Sequence, residues 1–209
     1  LRARQLQHAG RVTPLLWVRL GVLSKATRVV LAWEPGRFEV RFDGEPLSPT
    51  LLARPYDAFL GTTTATRLTA QFGAALLHLA RPEVSVEVVS GPLDDRRAIY
   101  LRGPGADPPA SLEDGMDETV VRAFWGSDGE REQGHPGGWN LPSLSDWLAA
   151  TPIPVTLGHR GKVTVVPPWA RRFGTDAWSG SVDGLRCGFR VIPHAGERTL
   201  LAFSVHGVT

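Results

Sequence analysis

Apolar and polar residues alternate with a period of two along several short segments, which is the pattern of a half-buried β-strand. Residues 38–42 carry this pattern, whereas residues 29–33 are entirely apolar and are predicted as a strand from their β-branched content. The turn residues Glu34-Pro35-Gly36-Arg37 between the two strands predict a β-hairpin. The same patterning and β-branched content predict further strands at residues 84–89, 98–101, 119–125, 152–157, 162–166, 188–192 and 200–205. The chain is therefore rich in short strands.

Apolar residues at helical spacing predict helices, mostly in the first part of the chain. A helix is expected to begin at Pro14, which suits a first-turn position, after a polar helix or arm at residues 1–13. Its apolar residues fall on more than one face, which indicates a buried helix. Further helices are predicted from an N-cap at Ser48, over residues 68–79, and at residues 143–150.

This order of elements predicts an α+β fold. We expect a two-layer sandwich, with a mixed, mostly antiparallel sheet and helices packed on one face. Residues 1–209 are predicted to form one domain, with small-residue or polar loops at 61–66 and 103–117 and a flexible glycine-rich loop at about 126–142. No repeat period is visible that would indicate a solenoid or a propeller.

Composition narrows the class of protein without indicating a chemistry. The chain has a single cysteine, Cys187, so a disulfide within the chain and a four-cysteine zinc site are both excluded. The formal net charge is only +2 and the charges are interleaved, so a nucleic-acid partner is not expected. No apolar run approaches the roughly 20 residues that span a bilayer. We expect a cytoplasmic protein with no membrane partner.

Local motifs of catalysis are missing from the sequence. There is no phosphate-binding Gly-x-x-x-x-Gly-Lys-Ser/Thr loop, no dinucleotide-binding Gly-x-Gly-x-x-Gly after a strand, and no Gly-x-Ser-x-Gly nucleophile turn. The six histidines are scattered, and none pairs with a second ligand at metal-binding spacing. We therefore predict no catalytic residue and no metal site. A hydrolase whose residues converge only in space stays open.

A series of short motifs nevertheless occurs in a characteristic order. Lys25-Ala26-Thr27-Arg28 lies between a buried helix and a strand, and Phe42-Asp43-Gly44-Glu45-Pro46 ends the following hairpin. Phe72-Gly73 lies in a later helix, and Glu118-Thr119-Val120 opens a later strand. This order resembles the GHKL ATPase superfamily of gyrase, heat-shock chaperones, histidine kinases and MutL, with the heat-shock chaperone N-terminal domain as the nearest match. The resemblance implies the Bergerat fold and a site for ATP and magnesium.

The residues that perform the chemistry in that superfamily are replaced in this chain. The resemblance places Leu16 at the water-activating glutamate, Leu20 at the magnesium-binding asparagine and Leu23 at the aspartate of the helix. Phe42 takes the position of the adenine-reading aspartate, unless a one-residue shift lets Asp43 serve. Leucine can neither hold a cation nor act as a base. Alternatively, the leucines are an ordinary core stripe and Asp43-Gly44 an ordinary turn in an unrelated fold.

Three functions remain open from the sequence. The first is a degenerate, non-hydrolysing GHKL-like domain without a cofactor, which binds a protein partner or serves as a scaffold. The second is a divergent ATP-binding, chaperone-like domain that would use ATP and magnesium. Its nucleotide would contact Asp43, Gly44, Gly73 and Thr119, with residues 61–66 as a lid. The third is an unrelated α+β domain that binds nucleic acid.

Overall fold

A computed structural model describes residues 2–60, 66–79, 84–101, 117–125, 144–145, 148, 151–168, 178–182, 185–192 and 200–207. The helices are α1 (Arg2–Leu23), α2 (Pro49–Ala53), α3 (Asp57–Leu60) and α4 (Arg67–Leu79). The strands are β1 (Val29–Glu34), β2 (Arg37–Phe42), β3 (Val84–Ser90), β4 (Arg97–Leu101), β5 (Thr119–Trp125), β6 (Val155–His159), β7 (Lys162–Val166), β8 (Trp178–Val182), β9 (Leu185–Ile192) and β10 (Leu200–Gly207).

Seven of these strands form one mixed sheet in the order β4-β3-β5-β2-β1-β6-β7. The β1–β6 pair is parallel, and every other neighbouring pair in this sheet is antiparallel. Strands β8, β9 and β10 form a second, antiparallel sheet in the order β10-β9-β8. The predicted α+β class and the mixed, mostly antiparallel sheet are confirmed.

Two tight turns set the register of the hairpins. Gly36, at φ 76°, lies in the β1–β2 turn, where Glu34 pairs with Arg37. Arg160 and Gly161 form the β6–β7 turn with φ of 48° and 74°, and His159 pairs with Lys162 across it. Two successive residues with positive φ are typical of the two-residue turns that match the twist of a hairpin.

Helix α1 differs from its prediction. It runs from Arg2 through to Leu23, so Pro14 lies inside the helix and not in its first turn. A proline inside a helix removes one backbone donor and crowds the preceding turn, but flanking residues with good helix propensity can carry the helix past it. The Arg, Gln and Ala residues before Pro14 are such residues, so the expected boundary between an arm and a helix is absent.

The helix-facing side of the large sheet forms the core. Trp17 of α1 meets Phe72 of α4 edge to face, with ring centroids 6.4 Å apart and planes at 77°. Gly21 lets α1 approach the sheet closely, because a Cβ there would come within 2.7 Å of Val29 Cγ2. The fully buried sheet residues on this side are Val29, Leu31, Phe38, Val40, Phe42, Val88, Val121, Ala123, Val155 and Leu157. Burial of this apolar surface is the main stabilising contribution to the fold.

The opposite side of the same sheet carries a buried row of charges. Glu39, Arg122 and Glu87 are direct cross-strand neighbours on β2, β5 and β3. Arg122 Nε lies 3.1 Å from Glu39 Oε2, and Arg122 Nη1 lies 2.8 Å from Glu87 Oε2. Arg41 Nε adds a 2.5 Å contact to Glu39 Oε1, and Arg37 also pairs with Glu39. One arginine therefore bridges two buried carboxylates across three strands.

Several predicted segments deviate from the structure or lie outside the described part of the chain. The strand β8 was not predicted. The helix predicted at residues 68–79 is α4, and Ser48 caps α2 by accepting a 3.2 Å hydrogen bond from Leu51 N–H. Leu144, Ser145 and Leu148 are helical, as predicted for residues 143–150. The loops predicted at 61–66, 103–117 and 126–142 fall almost entirely on residues that the structure does not describe.

Candidate functional site

The candidate site lies at one end of the large sheet, on the side that faces the helices. Strands β2 and β3 end here and β5 begins here, with Phe42 paired to Thr119 across the β2–β5 ladder. Asp43 and Gly44 follow Phe42 directly, so three of the four residues predicted to contact a nucleotide share this end of the sheet. The fourth, Gly73, lies on α4.

Phe42 is completely buried between the sheet and α1. A Cβ placed on Gly21 of α1 would lie 3.5 Å from both Cβ and Cγ of Phe42. Helix α1 therefore rests directly on the phenyl ring, and Phe42 belongs to the same apolar cluster as Leu20 and Val29. A buried aromatic ring stabilises this position by its apolar area and offers no hydrogen bond to a ligand.

Both carboxylate oxygens of Asp43 bind the turn that joins α1 to β1. Asp43 Oδ1 accepts from the backbone N–H of Thr27 at 2.8 Å and from that of Arg28 at 3.1 Å. Asp43 Oδ2 accepts from the Thr27 hydroxyl at 2.5 Å. Burial alone would raise the pKa of Asp43, but these hydrogen bonds outweigh it and lower the pKa below its ordinary value. Asp43 is thus an ionised anchor of the Ala26-Thr27-Arg28 turn.

Gly44 is required by a close approach of two backbone segments. A Cβ on Gly44 would overlap Ser24 O and would lie 2.9 Å from Ala26 N. The next residue, Glu45, donates its backbone N–H to Ser24 O at 2.5 Å. Gly44 therefore fits the end of β2 against the last turn of α1, and this packing by itself explains the glycine.

Thr119 takes part in a buried chain of hydroxyl hydrogen bonds. Its Oγ1 lies 2.6 Å from Ser90 Oγ, and Ser90 Oγ accepts the backbone N–H of Leu47 at 2.9 Å. Ser90, Thr119 and Leu47 are all buried. The chain ties the ends of β3 and β5 to the segment after β2, so both hydroxyl groups already have protein partners.

A charged group beside this site was not found from the sequence. Arg28 Nη2 donates to Glu118 Oε1 at 2.8 Å, and Arg96 Nη2 donates to the Glu118 backbone oxygen at 3.0 Å. Burial lowers the pKa of Arg96, with Arg122 and Arg41 adding to the effect and Asp117 and Glu118 opposing it. These partners lie far apart in sequence, which no local spacing rule detects.

Gly73 has a packing role at the contact between α3 and α4. A Cβ on Gly73 would come within 2.5 Å of Phe59 Cε2 and 2.7 Å of the Pro55 backbone oxygen. The glycine therefore lets α4 contact α3 and the segment before it. The structure explains Gly73 without a ligand.

The α1 leucines that the resemblance places at catalytic positions contribute to packing. Leu20 is completely buried, and Leu16 and Leu23 are half-buried. The Leu16 backbone oxygen accepts a 2.8 Å hydrogen bond from Gln71 of α4, which joins the two helices. Among the described residues, no group of three or more His, Cys, Asp or Glu side chains could hold a metal ion.

Comparison with known proteins identifies the fold. No family model matches the chain. No curated protein matches it either. The MutL ATPase domain of Aquifex aeolicus, solved with ADP, is similar over 95% of this chain and 91% of that chain, with a TM-score of 0.52 and 13% identity. The DNA gyrase B-subunit of Myxococcus xanthus is similar over 88% of this chain and 61% of that chain, with a TM-score of 0.58 and 16% identity.

A third solved structure supports the same assignment. The gyrase B ATPase domain of Thermus thermophilus, in complex with an aminocoumarin, is similar over 83% of this chain and 56% of that chain, with a TM-score of 0.50 and 14% identity. This chain therefore spans less than two thirds of either gyrase chain and most of the MutL domain. It has the GHKL fold, as the sequence predicted. At these identities the likeness shows the fold alone.

Proposed function

We propose that this GHKL-fold chain is a single-domain module that does not hydrolyse ATP and acts through contacts with a protein partner. One observation carries the proposal. The completely buried ring of Phe42 occupies the position at which the resemblance places the adenine-reading carboxylate. Without a carboxylate at this position, a buried adenine amino group would have no charged acceptor.

The leucines of α1 support the loss of hydrolysis. ATP hydrolysis needs oxygen ligands for a magnesium ion and a base that positions water. Leu16, Leu20 and Leu23 stand where the resemblance places these groups, and an apolar helix face would leave the charges of a triphosphate unpaired.

The bonds of Asp43 support the same conclusion. A one-residue shift could bring this carboxylate to an adenine base, but its two oxygens already accept three hydrogen bonds from Thr27 and Arg28. Binding a base would require breaking bonds that anchor the α1–β1 turn. The hydrogen bonds of the folded site therefore support a structural role for Asp43 and not the recognition of an adenine base.

A role in protein contacts agrees with the surface of the described residues. Phe59 on α3 and Leu77 on α4 are 50% and 53% exposed, and Phe59 packs beside Gly73 of α4. We propose that both side chains belong to the surface that contacts the partner, because contiguous exposed apolar patches mark sites of protein interaction. No helix among the described residues is long and apolar enough to cross a membrane. We propose a cytoplasmic location and a soluble partner.

A divergent ATP-binding domain is the second candidate, favoured by the likeness to a MutL domain solved with ADP. In this alternative Asp43, Gly44 and Thr119 would surround the base, and Gly73 would approach the phosphates. Magnesium would accompany the nucleotide. Asp43 and Thr119 would then have to exchange their present partners for the ligand.

The two candidates are separated by thermal unfolding of the chain with and without ATP, ADP and magnesium. A ligand at a hundred times its dissociation constant stabilises the folded state by about 2.7 kcal/mol, which is several degrees in Tm for a domain of this size. We expect no shift and no release of phosphate above the buffer rate. Inorganic triphosphate is the matched control, because it reports anion binding by surface arginines.

A shift with ATP that triphosphate does not reproduce would contradict the proposal. Where the unaltered chain shows no shift, Phe42→Leu separates two causes, because it removes the ring and still supplies no carboxylate. If the ring is what excludes the base, this variant gains an adenine-dependent shift that the unaltered chain lacks. If neither chain responds, adenine is not recognised at this site.

A further inference from the structure

The strand β7 forms one edge of the seven-stranded sheet and presents an unusual surface there. Among the described strands its only neighbour is β6. Val163 and Val165 are 70% and 60% exposed, more than any other large apolar side chain whose burial the structure describes. Long or apolar sheet edges are templates for pairing with another strand, and proteins usually protect them with charges, proline or a covering element. Only Lys162, at the start of β7, provides such protection within the strand.

The register of β6 shows which backbone groups of β7 point to the open edge. Pro154 O accepts the N–H of Val29 at 3.1 Å, so the backbone groups of residues 154, 156 and 158 point toward β1. Those of residues 155, 157 and 159 then point toward β7, where they meet Val166, Thr164 and Lys162. The backbone N–H and C=O groups of Val163 and Val165 consequently point away from β6, to the open edge, while their exposed side chains project from the sheet face opposite the core.

From this arrangement we infer that β7 is a self-pairing edge, on which the β7 strand of a second copy of this chain adds in antiparallel orientation. A two-fold axis at Thr164 places Val163 of each copy opposite Val165 of the other. Both residues of that pair face the partner strand, so the two pairs exchange four backbone hydrogen bonds. Such an interface is isologous and closes at two copies.

Charge decides between the two possible directions. Lys162 is the only charged residue of β7. Antiparallel pairing about Thr164 separates the two Lys162 residues by four positions, or about 14 Å along the strand. Parallel pairing in register would place them directly beside each other, about 5 Å apart, and like charges on neighbouring strands repel. The strand is therefore self-complementary in the antiparallel direction only.

The opposite edge of the sheet does not offer the same surface. Strand β4 carries an exposed arginine, Arg97, which pairs with Asp95 at 3.2 Å, and helix α2 lies against this strand. Charged side chains and a covering helix are the usual means of protecting an edge. Pairing is therefore expected at β7 and not at β4. The pairing of two β7 strands does not depend on whether a nucleotide binds, because the candidate site lies at the end of β2.

The interface is small. Two strands of five residues bury less than the roughly 1,200 Å² of a stable complex, so the dimer is in equilibrium with monomer at micromolar or higher concentration. Sedimentation velocity over a concentration series of the whole chain measures this equilibrium. Val163→Lys combined with Val165→Lys adds like charges across the pair, and we expect at least a tenfold weaker dimer. Ala53→Lys is the matched control, since it places a lysine on an exposed apolar position of α2, which lies against β4 at the opposite edge of the sheet.

Cross-linking tests the register. In a background with Cys187→Ser, Thr164→Cys puts the two thiols on the two-fold axis, in a pair whose Cα atoms are about 4.5 Å apart and can form a disulfide. Lys162→Cys separates the thiols by about 14 Å, too far for a bond. We expect a covalent dimer from the first variant only.

Four outcomes would overturn the inference. The first is a chain that stays monomeric at the highest soluble concentration. The second is a dimer that the two lysines at 163 and 165 weaken no more than Ala53→Lys does. The third is cross-linking through Lys162→Cys, which would show parallel pairing. The fourth is slow amide hydrogen exchange at Val163 and Val165 in dilute monomer, which would mean that another segment of the chain covers β7.

Discussion

At the scale of single residues, polar groups near the candidate site are committed to structure. Asp43 binds Thr27 and Arg28, and Ser90 joins Thr119 to Leu47. A ligand could use these groups only by replacing bonds that hold the ends of β2, β3 and β5. The first predictions therefore concern stability, because a residue with a structural role changes the free energy of unfolding when it is removed.

Asp43→Ala should lower the free energy of unfolding by about 1–2 kcal/mol, since it removes a carboxylate that accepts three hydrogen bonds. Its folded-state pKa lies below the ordinary value of 3.8. The stabilisation is therefore present above pH 3.8 and is lost as the pH falls below it. Denaturant unfolding from pH 7 down to pH 3 should show the unaltered chain and the variant converging at the acid end. A gap independent of pH would mean that the charge of Asp43 contributes nothing.

Ser90→Ala should destabilise the fold by about 1–3 kcal/mol, because the buried N–H of Leu47 loses its acceptor. Thr119→Val is the matched control. It removes the other hydroxyl of the pair and leaves Ser90 able to accept from Leu47, so the loss should be smaller. Chemical denaturation of both variants and of the double variant measures the difference. Equal losses of unfolding free energy in the two variants would show that the hydrogen bond from Leu47 to Ser90 adds nothing to stability.

At the scale of elements, the sheet is stabilised differently on its two sides. The helix-facing side is apolar, whereas the other side joins β2, β5 and β3 through Glu39, Arg122 and Glu87. Burial alone would raise the pKa of Glu39, but its bonds to Arg41 and Arg37 reverse the effect and lower it. Buried carboxylates keep their charge only when such partners are present. The row of charges therefore fixes which strands lie side by side.

Arg122→Ala should cost about 3–5 kcal/mol, because it leaves two buried carboxylates without their shared partner. Arg97→Ala is the matched control. Its exposed pair with Asp95 should contribute less than about 1 kcal/mol. Denaturation midpoints of both variants at neutral pH measure the difference. A loss from Arg122→Ala no larger than that of the control would refute the structural role of the row.

The elements also show what the sequence could and could not predict. The strands at 29–33, 38–42, 119–125 and 162–166 were predicted almost to the residue, because alternation and turn residues are local signals. The strand predicted from residue 152 begins at Val155, after Pro154, which lacks a backbone donor. Strand β8 was missed because Trp178 to Val182 contains glycine and serine, which carry little strand preference.

The candidate site was also predicted only in part. Sequence patterns report local structure, and they do not report contacts between segments that are distant in sequence. Motif order placed Phe42, Asp43, Gly44 and Thr119 in one neighbourhood, and the strand register places them at one end of the sheet. The packing reasons for Gly44 and Gly73 could not be predicted, since each depends on a contact with a segment distant in sequence. The same holds for Arg28 with Glu118, which are 90 residues apart. Contact with a nucleotide at Asp43, Gly44, Gly73 and Thr119 stays a prediction.

At the scale of the whole molecule, the strand order sets how stability is distributed over the large sheet. Strand β2 lies between β1 and β5, so backbone groups on both of its sides are paired. Strand β7 has one described neighbour, so alternate residues should differ in protection. Amide hydrogen exchange reports this difference directly, because an amide hydrogen-bonded in a central strand exchanges only when that part of the protein opens.

In dilute solution, we expect the amides of Thr164 and Val166 to be protected by β6, and those of Val163 and Val165 to exchange much faster. Neighbouring residues of β2, such as Phe38 and Glu39, should be protected alike and serve as the internal control. Raising the protein concentration should slow exchange at Val163 and Val165 alone, because the added strand of a second copy bonds only these two amides. Slow exchange there in dilute protein would instead place another segment of the chain on this edge and leave no surface for a second copy.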